Sequence, residues 1–501
     1  MDNRNEVKEL IKSVLVELLQ ERQLPSSILA TQNYTQVSAN QNGYSTVAVG
    51  VGGAVQNNTI VPTQLETGVF ATVDDAIREA KRAQKEYEEC SLATRDKVIK
   101  AIRGAMRPLV NELAERTLAE TGMGRVADKV LKLNLAIDKT PGVEDLITEC
   151  ETGDNGMTLY ELSAYGVIGA ITPSTNPAET LICNSIGMLA AGNAIFFSVH
   201  PGAKNLSRWL VSEINKVIYE TIGIQNLVVT LEEPSIESAQ EMMMHPDISL
   251  LVVTGGPGVV NQALRSGKKV IGAGAGNPPA FVDETADIKK AAQDIVLGAS
   301  LDNNILCIAE KSVVAIQSIQ DELIREMVNV GCRYIDSPSD IVRLQQLTVN
   351  PDGTPNKKFI GKNASVILDA ASISYTGDPR LIILKAPRNH PFAVIEMLMP
   401  ILPVVAVSNF EEGLDVCLAL ENGLHHTATM HSLNMERLNR MARKMKTSIF
   451  VKNGPSYAGL GFNGEGSATF TIATPTGEST TTARCFARRR RCCLTTGFNI
   501  R

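Results

Sequence analysis

The sequence predicts an α/β protein built on two doubly wound parallel sheets. The first observation is an alternation of strand-like apolar runs and helical segments that begins at Gly166. Its apolar runs are Val167–Thr172, Ala194–Val199, Leu227–Leu231 and Leu250–Thr254. The second is a further series of the same kind from Lys269 to about Val451. The third is size and composition, since 501 residues exceed one ordinary core, while 44% hydrophobic and 20% charged residues are typical of globular proteins.

Residues 1–22 are predicted to form an amphipathic helix with one narrow apolar stripe. Pro25 ends the pattern, and its apolar positions recur at helical spacing: Val7, Leu10, Ile11, Val14, Leu15, Leu18 and Leu19. Two interpretations stay open, because the helix could bind another protein or fold back onto the main domain. The stretch that follows favours binding, since a long tether lets the helix reach away from the rest of the chain.

Residues 23–68 are predicted to be a flexible linker. The stretch from Thr31 to Gln64 has no charged residue and is rich in small polar ones, so it buries too little apolar area to offset its ordering entropy. Folded protein is expected to begin near Val69, where Thr72 caps a helix that starts at Val73. The predicted units are then 69–268, 269–451 and a Gly- and Thr-rich segment, 452–501, that wraps around or joins subunits.

Charge and cysteine usage exclude several classes of function. A net charge of −6 gives no global nucleic-acid footprint, and the basic run Arg488–Arg491 is interpreted as a solvated or interface cluster. The nine cysteines form no CxxC pair and no zinc-ligand spacing, so no metal site is expected. No apolar run reaches membrane-spanning length and no secretory signal is visible. We therefore expect an intracellular protein with reduced thiols and no membrane or nucleic-acid partner.

Four segments hold residues suited to chemistry. Asp302–Lys311 contains Cys307, whose thiolate could attack a carbonyl carbon, although a cysteine among apolar neighbours is more often a buried hydrophobe. Gly272–Pro279 is a glycine-rich loop that lets the backbone approach a ligand. Gly169–Pro177 and Thr254–Gly258 each follow a predicted strand, at the sheet edge where α/β proteins bind ligands. The second of these could seat a phosphate on its backbone N–H groups.

Taken together and in this order, these segments resemble the aldehyde dehydrogenase superfamily. They are most similar to the CoA-acylating propionaldehyde and acetaldehyde dehydrogenases of propanediol- and ethanolamine-utilising microcompartments. The similarity covers roughly residues 69–501, and residues 1–22 match that family's cargo tag in kind. The motifs that carry it are Thr172–Pro177, His200–Lys204, Gly267–Pro279, Cys307–Lys311, Thr447–Gly459 and Thr471–Gly477.

The resemblance implies roles for the matching residues. Cys307 matches the nucleophile and Glu396 the glutamate that holds the nicotinamide ribose. The oxyanion amide matches Asn176 by chemistry and Thr175 by strict register, so both stay open. Ser198 stands where hydrolytic members carry a lysine that contacts the adenosine ribose. The other positions implied to bind the cofactor are Thr172, Pro173, Ser174, Thr175, His200, Pro201, Lys204, Gly255, Gly256 and Gly274.

One departure from the hydrolytic pattern separates two activities. Hydrolytic members carry a water-activating glutamate where this chain has Ala273, so a thiol is expected to outcompete water for the thioester. The resemblance thus implies that a short-chain aldehyde, propionaldehyde first, is oxidised with NAD and CoA to acyl-CoA. Two alternatives remain: a hydrolytic NAD-dependent enzyme, or a non-catalytic cargo or scaffold protein.

The resemblance also implies where the protein works and with what. The unit 69–268 would bind NAD and CoA, 269–451 would be the catalytic domain, and 452–501 would support a homodimer or homotetramer. Residues 1–22 would bind a microcompartment shell protein or a co-encapsulated enzyme. The expected location is the lumen of a bacterial microcompartment in the cytoplasm.

Overall fold

The computed structural model describes residues 64–498. The predicted helix over 1–22 and the predicted linker up to residue 63 lie outside the described residues. The linker was predicted to extend to residue 68, but its described part contains regular structure. Gln64–Glu66 is a strand that pairs antiparallel with Val69–Phe70. The ordered chain therefore begins before Val69, where the backbone groups of this short hairpin find partners.

A doubly wound sheet of seven strands forms the first half of the fold, as predicted. The chain runs outward from its centre in one direction and then returns to build the other side. That reversal lies beside Val167–Ile171, and ligands of such sheets bind at the carboxyl ends of the strands at this point. All pairings after the N-terminal hairpin are parallel. The spatial order is Gln64–Glu66, Val69–Phe70, Val228–Leu231, Ala194–Ser198, Val167–Ile171, Ile248–Thr254, Lys269–Ala273.

A second parallel sheet of seven strands forms the other half. It starts one strand later than the predicted boundary at residue 269, because Lys269–Ala273 pairs with Ile248–Thr254 at the edge of the first sheet. The glycine-rich loop after Ala273 is thus the crossing from one sheet to the other. The spatial order is Cys332–Ile335, Leu381–Lys385, Ile401–Val407, Ser312–Ile316, Pro279–Val282, Thr427–His431, Ile449–Lys452.

Helices cover the faces of both sheets and bury their apolar sides. Thr72 is the N-cap of Val73–Glu88 and its side chain accepts from the Asp75 N–H, as the sequence predicts. Within residues 64–498, none of the helices is both long and apolar enough to cross a bilayer. The helices are Val73–Glu88, Leu92–Met106, Val110–Thr121, Val126–Lys139, Pro177–Ala190, Lys204–Ile222, Ile236–Met244, Pro257–Leu264, Ile288–Ser300, Gln317–Asn329, Pro338–Thr348, Ala364–Ala370, Pro391–Val394, Phe410–Glu421 and Met435–Met445.

The basic run lies in a separate three-stranded antiparallel sheet. Its strand order is Ala487–Thr495, Gly156–Ala164, Glu149–Gly153. The Arg489 guanidinium stacks 3.7 Å from the Tyr160 ring centroid and pairs with Glu149 at 2.7 Å. These contacts give the run a structural role on an exposed strand. A short hairpin, Ile472–Ala473 with Ser479–Thr480, precedes it.

Candidate active site

The Cys307 loop begins with three consecutive residues in the left-handed conformation. Asp302, Asn303 and Asn304 have φ values of 49°, 56° and 66°, which Asp and Asn tolerate better than other residues with a side chain. All three side chains are buried and hydrogen-bonded. Asn304, for example, donates to the carbonyls of Ala299 at 2.7 Å and Glu310 at 2.9 Å. The triplet ends the preceding helix abruptly and fixes the path of the loop.

The buried side chain of Lys311 holds the Cys307 loop in place through hydrogen bonds. The Lys311 ammonium donates to the carbonyl and side-chain oxygens of Asn304, each at 2.7 Å, and to the Leu306 carbonyl at 2.9 Å. Burial lowers the pKa of Lys311 to about 8, against the opposing charges of Glu396, Cys307 and Glu310. Lys311 therefore both shapes the loop and places a titratable cation near the thiol.

The Cys307 thiol is partly buried. Burial raises its pKa to about 12, and the Glu396 carboxylate raises it further while Lys311 lowers it. A nucleophilic cysteine must lose this proton before attack. The surroundings therefore keep the thiol protonated until a change at the site, such as ligand binding, alters its electrostatics.

The glycine-rich loop brings Glu396 to the same place. The Gly276 N–H donates to Glu396 Oε1 at 3.2 Å, and a β-carbon at Gly276 would lie 2.7 Å from the Cys307 carbonyl oxygen. The ring of His426, whose Nε2 has no hydrogen-bond partner within 64–498, lies 2.8 Å from the same β-carbon position at Gly276. Burial lowers the pKa of His426 to about 4, so the ring is neutral. Gly274, also predicted to bind the cofactor, lies against Pro475.

Asn176 occupies the N-cap of Pro177–Ala190, in the loop after the central strand of the first sheet. Its Oδ1 accepts from the Lys132 ammonium at 2.6 Å, and its Nδ2 donates to Thr175 Oγ1 at 3.3 Å. Lys132 also lines an apolar cleft beside the Cys307 loop. The other lining residues are Leu131, Leu135, Leu301, Leu306, Tyr457, Leu460, Phe462 and Phe470.

The strand ends of the first sheet collect most of the predicted cofactor residues. Thr172 follows the central strand, and its N–H donates to the carbonyl of Ser198, the last residue of the next strand. The Thr172 hydroxyl is buried without a partner in the described chain, a group available to a ligand. Pro173 and Ser174 continue the same loop, and Pro201 starts the short helix Pro201–Ala203.

Two further segments predicted to bind the cofactor, Gly255–Gly256 and His200–Lys204, follow strands of the same sheet. The Gly255 N–H donates to the Ala273 carbonyl at 3.1 Å, and Gly256 is the N-cap of Pro257–Leu264, where a helix N-terminus favours phosphate. His200 Nδ1 accepts from the Gly202 N–H, and burial lowers the pKa of His200. Lys204 is already held by both oxygens of Glu233, at 2.7 and 2.6 Å. Its ammonium is therefore less available to a cofactor than the resemblance implies.

Comparisons with known proteins decide the family. A family model described as "Aldehyde dehydrogenase family" matches residues 57–333. A propanal dehydrogenase (CoA-propanoylating) from Salmonella typhimurium is 54% identical over 435 residues, which cover 87% of this chain and 93% of that protein. The chain belongs to the aldehyde dehydrogenase family. An acetylating acetaldehyde dehydrogenase from the same organism is 47% identical over 441 residues, 87% of this aldehyde dehydrogenase and 94% of that one.

Solved structures agree with the fold of this aldehyde dehydrogenase. A propionaldehyde dehydrogenase from Rhodopseudomonas palustris, with bound CoA and an acylated cysteine, superposes with a TM-score of 0.86 at 48% identity, covering 87% of this chain and all (100%) of that one. One from the fucose utilisation microcompartment of Clostridium phytofermentans gives 0.85 at 45% identity, with 87% and 100% covered. The predicted fold and family are therefore confirmed.

Several residues around the aldehyde dehydrogenase site were missed by sequence reasoning. They are charged or polar side chains buried at the Cys307 loop: Lys129, Lys132, Glu179, Glu310 and His426. One signal was available, because Lys129 and Lys132 lie in the buried stripe of Val126–Lys139 together with Leu133 and Ala136. Charged residues at apolar helical positions indicate buried partners.

Proposed function

We propose that this aldehyde dehydrogenase oxidises a short-chain aldehyde, propionaldehyde first among them, with NAD and CoA to give acyl-CoA and NADH. The observation that carries the proposal is the meeting of Cys307, Glu396 and the glycine-rich loop at Gly276. The curated relatives named as CoA-acylating enzymes support it, because each aligns along most of its own length.

Each step of the proposed reaction is assigned to residues of the chain or to a cosubstrate. Cys307 Sγ, once deprotonated, forms a bond to the aldehyde carbon and gives a thiohemiacetal. The Cys307 backbone N–H and the Asn176 amide hold the resulting oxyanion, and one such donor is typically worth about 3 kcal/mol. NAD supplies the acceptor for the hydride, which leaves a thioester on Cys307. The thiolate of CoA then attacks the thioester carbonyl, and Cys307 leaves.

The residues present fit the nucleotide that this chemistry requires. The helix N-terminus at Gly256 suits a phosphate, and the buried Thr172 hydroxyl has no hydrogen-bond partner among residues 64–498. Glu396 follows the helix Pro391–Val394 and accepts a hydrogen bond from Gly276 on the glycine-rich loop, a position from which it can hold the nicotinamide ribose. The neutral residue Ala273 supports transfer to a thiol over transfer to water.

The function is tested by product analysis. Purified enzyme is given propanal and NAD, with or without CoA, and both propanoyl-CoA and propanoate are measured. We expect propanoyl-CoA to dominate and Cys307→Ala to form no NADH. Cys90→Ser is the matched control, because Cys90 is another partly buried cysteine. Propanoate as the main product would favour the hydrolytic enzyme, and no turnover at all would favour the scaffold protein.

We propose that residues 1–22 bind a microcompartment shell protein or a co-encapsulated enzyme, which places the enzyme in a microcompartment lumen. The narrow apolar stripe supports this, and so does a relative that comes from a microcompartment. The test is to fuse residues 1–22 to a fluorescent protein and co-express it with a shell. Diffuse fluorescence, with full encapsulation of an enzyme that lacks these residues, would contradict the proposal.

We propose that the enzyme is a homodimer or homotetramer joined through the 452–501 segment. The exposed strand Ala487–Thr495 and the exposed side chains of Leu494 and Phe498 support a subunit contact there. Light scattering after size exclusion gives the mass. Leu494→Asp should weaken the assembly, and a wild-type monomer would contradict the proposal.

A further inference from the structure

Four charged side chains are buried together between Val126–Lys139 and the Cys307 loop. Lys129, Lys132, Glu179 and Asp302 are each at most 2% exposed. Asp302 Oδ2 lies 3.0 Å from the Lys129 ammonium and 2.6 Å from that of Lys132. Lys132 also lies 3.0 Å from Glu179 Oε1. Two positive and two negative charges cancel, which makes their burial tolerable.

The two lysines differ in their contacts with Asn176 and with Glu179. Lys132 donates to Asn176 Oδ1 at 2.6 Å, whereas the bond that Lys129 makes is to Asp302. A side-chain amide whose oxygen is held by an ammonium cannot flip without losing that bond, so Nδ2 becomes the end that faces a ligand. Nδ2 has a single long bond, to Thr175 Oγ1 at 3.3 Å. A second N–H of this amide is therefore left for a ligand.

A cation on the amide oxygen also strengthens the amide as a donor. Electron density shifts toward the oxygen, and linked hydrogen bonds of this kind reinforce each other in a low-dielectric interior. Burial acts to lower the pKa of Lys132, but Asp302 and Glu179 outweigh it and raise the pKa above its usual value. The two carboxylates therefore favour the charged form of Lys132.

We propose that Lys132 is a positioning residue of the oxyanion site. It fixes Asn176 with Nδ2 toward the aldehyde oxygen, and through Asp302 it ties that amide to the loop that carries Cys307. The inference rests on the proposed function, in which Asn176 holds the oxyanion. The orientation of the Asn176 amide by the cluster favours Asn176 over Thr175 for that role.

The chain offers a matched pair of variants. Lys132→Met and Lys129→Met each remove one ammonium from Asp302, but only Lys132→Met releases Asn176. We expect Lys132→Met to lower kcat/KM for propanal about 10- to 100-fold, with KM for NAD unchanged. Lys129→Met should lower it less than about 3-fold. Equal losses in both variants would mean that the cluster only supports the fold, and would overturn the proposal.

A double-mutant cycle tests whether Lys132 acts through Asn176. In the Asn176→Ala background, Lys132→Met should cost less than about 3-fold in kcat/KM. The same loss in both backgrounds overturns the proposal. If Lys132→Met does not fold, Lys132→Met/Glu179→Gln restores charge balance, with Glu179→Gln as its reference. If Asn176→Ala is fully active while Cys307→Ala is inactive, the positioning role fails but the proposed reaction stands.

Discussion

The backbone of Gly276 touches the backbone of Cys307. A β-carbon at position 276 would stand 2.7 Å from the Cys307 carbonyl oxygen and 2.8 Å from Cγ of His426. Real β-carbons do not approach heavy atoms this closely, so one side must move. Because the Cys307 loop is fixed by the left-handed triplet and by Lys311, the shift falls on the glycine-rich loop and on Glu396, which it binds.

Gly276→Ala is therefore expected to disable the site while the fold survives. A displacement of catalytic groups by about 1 Å costs on the order of 100-fold in rate, which is the loss we expect in kcat/KM. Gly104→Ala is the matched control, since Gly104 lies in the helix Leu92–Met106 and a β-carbon there meets no atom within 4 Å. Circular dichroism checks the fold of both. Wild-type kinetics in Gly276→Ala would show that the close approach of Gly276 to Cys307 is not needed for activity.

Glu396→Gln should separate two roles of one carboxylate. Burial is the larger cause of the raised Cys307 pKa and Glu396 the next, so removing the charge should lower the thiol pKa. The measurement is the rate of iodoacetamide alkylation against pH without substrates, whose midpoint should move to lower pH. The KM for NAD should rise independently, because the proposed contact of Glu396 with the nicotinamide ribose is lost.

Glu310→Gln is the matched control for that experiment. Glu310 is a neighbouring buried carboxylate, but it accepts from the backbone and hydroxyl of Ser456 instead of facing the glycine-rich loop. An alkylation midpoint that shifts equally in both variants would contradict a specific effect of Glu396.

Patterns local in sequence predicted most of the fold. Alternating apolar runs located the strands around Val167–Ile171, and Thr72 was recognised as a cap because its partner is three residues away. The boundary at residue 269 was wrong because Lys269–Ala273 pairs with Ile248–Thr254 of the first sheet. The sequence of a strand does not show which other strand it pairs with. A buried edge strand of either sheet has the same apolar pattern.

Short sequence motifs predicted the candidate residues of the site but not the buried charges around them. The resemblance named Cys307 and Glu396 as candidates, and in the structure both lie next to Gly276. Lys132 was missed because Lys129 and Lys132 meet Asp302, which lies 173 residues away from Lys129 along the chain. Local periodicity carries no information on contacts at that separation, so burial of these charges became visible only in three dimensions.

Glu310→Gln should change how stability depends on pH. Burial raises the pKa of Glu310 from 4.5 to about 7, so the folded state binds this proton more tightly than the unfolded state. The resulting stabilisation is present below about pH 4.5 and is lost as pH rises to about 7, up to about 3 kcal/mol. Glutamine mimics the protonated acid at all pH values.

The prediction is that wild type loses Tm between pH 5 and pH 8 relative to Glu310→Gln, on the order of several degrees. Glu115→Gln, on an exposed helical position, should follow wild type. Parallel curves for wild type and Glu310→Gln would mean that the carboxylate is not protonated in the fold.

Ala273→Glu should shift the product from acyl-CoA toward carboxylic acid. Ala273 is buried at the end of Lys269–Ala273, and its carbonyl holds the Gly255 N–H. A carboxylate side chain placed there could take a proton from water that attacks the thioester, an effect typically of about 100-fold or more. The larger side chain also crowds the strand ends where CoA must approach, so total turnover should fall in any case.

Ala273→Gln provides the same bulk without a base and therefore isolates the chemistry. The ratio of propanoate to propanoyl-CoA, measured under equal CoA, should be at least about 10-fold higher for Ala273→Glu than for Ala273→Gln. Equal ratios in two folded, active variants would show that the missing carboxylate is not what protects the thioester from water.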